Sequence, residues 1–140
     1  MSSDNFTVQI GNLTDDPELR FTNNGTAVAN FSLAVNTRVR DGETWRDGET
    51  HFFRVNVWRD QAENVAESLR KGNRAVVVGR LKTRSWETNE GDKRTVTEID
   101  ASEVAPSLKW AIATPEKTTR NRVAERGAER GQFNDPPPTY

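Results

Sequence analysis

Between Thr26 and Arg40 the chain alternates, with Ala29, Phe31, Leu33 and Val35 in one phase and Asn30, Ser32, Asn36, Arg38 and Arg40 in the other. A period of two cannot stripe a helix, which repeats every ~3.6 residues, so the stretch is expected to be a long strand with one apolar and one polar face. A strand leaves its backbone N–H and C=O groups unpaired until other strands flank it. The remainder of the chain offers such partners.

Phe6-Thr7-Val8-Gln9-Ile10 alternates as a first strand and meets Gly11-Asn12 and the Asp16-Pro17 break. Glu18 to Phe21 reads as a short extended piece, and Asn23-Asn24-Gly25 as the turn that opens the second strand. The next stretch, DGETWRDGET at 41–50, reads as a long solvated hairpin loop, and its spacing does not match a calcium-binding loop. Strand three is expected from His51 to Trp58, strand four from about Arg74 to Trp86, and strand five from Lys93 to about Val104. One helix lies between the third and fourth. Asp60 and Glu63 form a capping-box pair, Ala62, Val65, Ala66 and Leu69 line one face, and Lys71-Gly72 closes it.

This order predicts an all-β fold, an OB-fold five-stranded Greek-key barrel with one helix between strands 3 and 4. The expected division is a domain over 1–114 and a disordered tail over 115–140, where AERGAERG and Asn134-Asp135-Pro136-Pro137-Pro138 change the composition. Phe6, Phe31 and Phe53 share a phase with aliphatic neighbours and are assigned to the core.

Enzymatic chemistry lacks its parts. His51 is the one histidine, cysteine is absent, and no glycine-rich phosphate loop occurs, so nucleophilic triads and thiolate metal sites have no ligands or base. No catalytic residue, metal or cofactor is expected. There is no apolar run near the ~20 residues that cross a bilayer and no secretion-signal pattern, so the expected location is cytoplasmic, without membrane contact. The net charge of −1 carries no general basic footprint, and any attraction for a polyanion has to be local.

A local footprint is present. In VGRLKTRSW, at 78–86, Arg80, Lys82, Arg84 and Trp86 share one strand face. In strand three Phe52, Arg54, Asn56 and Trp58 do the same. Aromatic rings in phase with cations suit unpaired nucleotides, whose bases stack on rings at ~1–3 kcal/mol each and whose phosphates take the charge. Arg38, Arg40, Trp45 and Lys93 extend the set. The rival reading is a scaffold in which these aromatic faces are protein interfaces.

The stretches GNLTDDPELRFTNNGTAVANFSLAVN (11–36) and WRDQAENVAESLRKGNRAVVVGRLKTRSW (58–86) resemble the bacterial single-stranded DNA-binding protein family. The resemblance implies an OB fold, a homotetramer and sequence-tolerant wrapping of single-stranded DNA in replication, recombination and repair, associated with the nucleoid. The family's stacking aromatics fall on Phe52, Trp58 and Trp86; a further stacking tryptophan of some members falls on Val39, with Trp45 the nearby substitute. APSLKWAIAT (105–114) is similar to the extra strand by which actinobacterial members clamp neighbouring subunits. The acidic tip closing in phenylalanine, through which principal members recruit other genome-maintenance proteins, has no counterpart in Asp135-Pro136-Pro137-Pro138-Thr139-Tyr140. A shorter secondary paralogue that docks few partners is the resulting expectation.

Overall fold

The computed structural model of the chain describes residues 5–118. These residues form six strands and one helix: β1 (Phe6–Leu13), β2 (Glu18–Phe21), β3 (Ala27–Asp41), β4 (Thr44–Trp58), α1 (Arg59–Ser68), β5 (Arg74–Glu87) and β6 (Lys93–Pro106). They make one sheet in the order β1-β5-β6-β4-β3-β2, and β1 additionally pairs with β3. The expected five-stranded Greek-key barrel is therefore corrected to a six-stranded sheet with one helix. The added strand is Glu18–Phe21. Its backbone pairs antiparallel with Ala27–Asn30 of β3, a tertiary partnership that four residues of local pattern did not reveal.

The expected loop at 41–50 is also overturned. β3 and β4 form one long hairpin that closes at Asp41↔Thr44, so most of DGETWRDGET is strand. Gly42, at φ 69, supplies the positive dihedral that so tight a turn needs, and the Thr44 hydroxyl donates to the Asp41 carbonyl at 3.0 Å. Polar composition described the exposure of this segment and not its conformation. An irregularity between Asn36 and Arg38 shifts the register, so that Asn36 lies opposite Thr50 and Arg38 opposite Asp47.

The core sits under one face of the sheet, where Ala29, Phe31 and Leu33 of β3, Val55 and Val57 of β4, Ala75 and Val77 of β5 and Ile99 of β6 are buried. Of the expected helix stripe, Ala62, Val65 and Leu69 join them, while Ala66 is half-buried. The helix begins one residue earlier than its pattern indicated, with Trp58 at the N-cap and no side-chain cap, and Asp60 lies in its first turn, where a carboxylate suits the dipole. It ends at Ser68 and not at Lys71-Gly72. Its side is pinned to β6: the Gln61 amide donates to the Ser102 carbonyl at 3.3 Å and accepts from the Val104 N–H at 2.9 Å.

One assignment to a face reverses, and one residue is covered on the face expected of it. Phe6, placed in the core by its phase, is 55% exposed, as are Val8 and Ile10 to similar extents. Asn30, placed outward, is buried. Phe31 is buried and Phe53 packs partly buried against the core, as expected.

The chain divides between Ser107 and Leu108 into two units. In the second, residues 108–118 carry no helix or strand, and the Lys109 ammonium stands 5.0 Å from the Trp110 ring centroid. Residues 119–140 of the expected tail lie outside the described residues, as do 1–4. Among the described residues no helix is long and apolar enough to cross a membrane.

Candidate nucleic-acid interface

Directly opposed residues of neighbouring strands share a face, so the registers assemble the outer surface strand by strand. On β4 that surface carries Phe52, Arg54, Asn56 and Trp58, in line with Ala34, Ser32, Asn30 and Val28 of β3. Across the parallel pairing, Arg54 meets Glu98 and Asn56 meets Asp100 of β6. On the far side of β6, Arg80 lies opposite Asp100, Lys82 opposite Glu98, Arg84 opposite Val96 and Trp86 opposite Arg94. Two separate runs of sequence, each mixing rings and cations, thus come to lie two strands apart on one face, roughly 10 Å at the usual strand spacing. Lys93, expected in the set, lies opposite Glu87, one residue out of phase with Trp86 and Arg94, and so falls on the other face of the sheet; Arg94 is the cation that β6 places beside Trp86.

Gly79 makes this register possible. A Cβ at that position would run into the Asp100 carbonyl oxygen and the Ala101 Cα, and a β-bulge between Val78 and Gly79 sets the pairing that follows. The residues from Arg80 to Trp86 are aimed by it.

The rings stand out from the sheet. Phe52 is 61% exposed, Trp86 47% and Trp58 39%. The six steps from Phe52 to Trp58 span about 20 Å of strand, with polar groups between the rings. The Arg84 guanidinium carbon lies 5.6 Å from the Trp86 ring centroid, within cation–π range.

Beneath the rings runs a polar chain that the residue pattern did not disclose. Arg20 on β2 donates through Nη2 to Asn30 Oδ1 at 2.6 Å, and Asn30 Nδ2 donates to Asn56 Oδ1 at 2.7 Å. Asn56 Nδ2 donates onward to Glu98 Oε1 at 3.1 Å and Asp100 Oδ1 at 3.2 Å. The acids hold cations diagonally, with Arg84 Nε 2.8 Å from Glu98 Oε2 and Lys82 Nζ 3.0 Å from Asp100 Oδ2. This explains the burial of Asn30: its amide is satisfied on both sides, which removes the cost of leaving water.

The expected cations therefore fall into two groups. Lys82 and Arg84 are paired with acids, whereas Arg54 and Arg80 are exposed and pair with no described residue. Arg20, Asn30, Glu98 and Asp100 lie outside the expected set of rings and cations. Their signal was available in part, since Glu98 and Asp100 flank Ile99 at the spacing that turns both away from a buried residue.

A second ring cluster occupies the tip of the β3–β4 hairpin. Trp45 lies opposite Arg40, and the guanidinium carbons of Arg38 and Arg40 are 5.9 and 5.6 Å from its ring centroid. Arg38 and Asp47 approach to 4.0 Å, and Arg46 and Asp41 to 3.8 Å, all strongly exposed. Among the described residues no His, Asp and Glu side chains gather as a metal site.

Against known proteins, the model of the "Single-strand binding protein family" matches residues 4–107. A single-stranded DNA-binding protein of Paenarthrobacter aurescens is 56% identical over 124 residues, covering 87% of this chain and 71% of that one. One of Mycobacterium tuberculosis is 54% identical over 123 residues, covering 86% of this chain and 75% of that one. Among solved structures, the small single-stranded DNA-binding protein from Streptomyces coelicolor superposes with a TM-score of 0.67 at 40% identity, covering 74% of this chain and 94% of that one.

Proposed function

The chain belongs to the single-strand binding protein family, and from that membership we propose that it binds and protects single-stranded DNA, without regard to sequence, in replication, recombination and repair. As a member of that family it is a binding protein and not an enzyme. The observation that carries the reading is the exposure of Phe52, Trp58 and Trp86 on one sheet face among Arg54, Arg80, Lys82 and Arg84. Rings on a sheet take unpaired bases, which a duplex hides, and the cations take phosphate. Asn56 lies between the rings, Arg94 opposite Trp86 extends the face toward the β5–β6 turn, and Arg38, Arg40 and Trp45 extend it along the hairpin.

The protein works as a homotetramer in the cytoplasm, at the nucleoid. Supporting assembly, Phe6, Val8 and Ile10 present apolar side chains to solvent along β1, a stripe that a second subunit would cover. Light scattering with and without oligo-dT should return four times the chain mass; a monomer in both states would remove the tetramer. Titration with oligo-dT should quench tryptophan emission as the rings stack. Unchanged emission at low salt would favour the scaffold reading, in which the same rings meet protein.

A further inference from the structure

Glu98 is a carboxylate in the middle of a surface read as a polyanion site, and its side chain is only 5% exposed. Simple electrostatics makes it a liability. Its geometry indicates otherwise, because it touches the rim of the site from below. One oxygen, Oε1, accepts from Asn56, and the other, Oε2, accepts from Arg84 Nε at 2.8 Å. Arg84 in turn lies along the Trp86 ring. With Nε engaged on the sheet side and the ring alongside, the two guanidinium amino groups remain, and no described residue takes them. Arg84 itself is 60% exposed, so those donors face solvent.

We propose, building on the DNA-binding reading above, that Glu98 is a positioning residue: it clamps Arg84 through Nε so that the guanidinium is fixed beside Trp86 and offers its two amino groups to a phosphate next to the stacked base. The planar fork of arginine allows one edge to be held by protein while the other is used for ligand, which a lysine ammonium cannot do with defined direction. Prior fixing of a long side chain removes an ordering cost that would otherwise fall on binding. The Asn56–Asn30–Arg20 chain completes the arrangement, because Asn56 donates to both acids and holds Glu98 in place from the other side.

An amide at 98 cannot replace the carboxylate. Both neighbours donate, Asn56 Nδ2 and Arg84 Nε, and a glutamine has only one accepting oxygen, so either flip sets a donor against a donor. Glu98→Gln should therefore bind oligo-dT about three- to tenfold more weakly than wild type, although the substitution removes a negative charge. In an Arg84→Ala background the same substitution should cause no further loss, since the residue it positions is gone. Tighter or unchanged binding by Glu98→Gln would overturn the proposal and make Glu98 a competitor of phosphate. So would an equal loss in both backgrounds, which marks a structural role.

Arg84→Lys provides a variant at an exposed position that does not depend on how the fold tolerates a change at 98. It should weaken binding nearly as much as Arg84→Ala, and wild-type affinity in the lysine variant would refute the need for a clamped fork. Failure of the wild-type protein itself to bind oligo-dT would instead sink the underlying DNA-binding reading.

Discussion

The centre of the sheet face and the tip of the β3–β4 hairpin use the same side chains in different physical settings. At both, arginine lies 5.6 Å from a tryptophan centroid, with carboxylates nearby. In the centre the carboxylate is Glu98, buried and bonded on both oxygens, and the ion pair closes at 2.8 Å. At the tip the Arg38–Asp47 contact reaches only 4.0 Å, with side chains 61% and 81% exposed. Water screens both partners at the tip, whereas in the centre it reaches the arginine but not the carboxylate, whose two bonded oxygens fix where the guanidinium sits. Composition alone would score the two patches alike; burial of the acid separates a preset site from an adaptable one.

The largest expected effects test the centre. Asn56→Ala removes the donor shared by Glu98 and Asp100 and the acceptor for Asn30, and should cost ~1–3 kcal/mol of folding stability through unpaired buried groups. Urea denaturation measures it; a loss below ~0.5 kcal/mol would show the polar chain to be ornamental. Trp86→Ala should weaken oligo-dT binding by ~1–3 kcal/mol, and Trp45→Ala by less, because the hairpin-tip ring sits among loosely held partners. Equal losses in a fluorescence titration would erase the distinction between the two patches.

Arg84→Ala should reduce the slope of log affinity against log salt by ~0.7, the single-strand value for one phosphate contact. An unmoved slope would take Arg84 off the backbone path. The smallest effect belongs to the tip, where Asp47→Asn should shift stability by no more than ~0.5 kcal/mol, as usual for an exposed ion pair. A loss of 2 kcal/mol or so there would mean that the hairpin tip is as rigidly built as the centre.

Much of the face that gathers rings and cations is legible along the chain because alternation is local. Phe52, Arg54, Asn56 and Trp58 share a side of β4, and Arg80, Lys82, Arg84 and Trp86 share a side of β5, whatever flanks them. Glu18–Phe21 reads as extended, but four residues carry too little period to show that they join the sheet, and the charge and glycine of Thr44–Thr50 report exposure and not conformation. Phe6 shows a subtler failure. Its phase with Val8 and Ile10 was right, yet those three apolar residues point to solvent while Thr7 and Gln9 are the more covered. Period two says which residues go together and is silent on which side meets the core.

From the sequence by itself came the long strands, the helix between the two ring-bearing runs and the membership of each strand face, since backbone geometry ties those to residue spacing. Tertiary structure alone decided that β6 runs parallel beside β4 while pairing antiparallel with β5, so that Glu98 and Asp100 come between Asn56 and the cations of β5. Those contacts join residues some forty positions apart, and they exist only through the register of strands that no local pattern specifies.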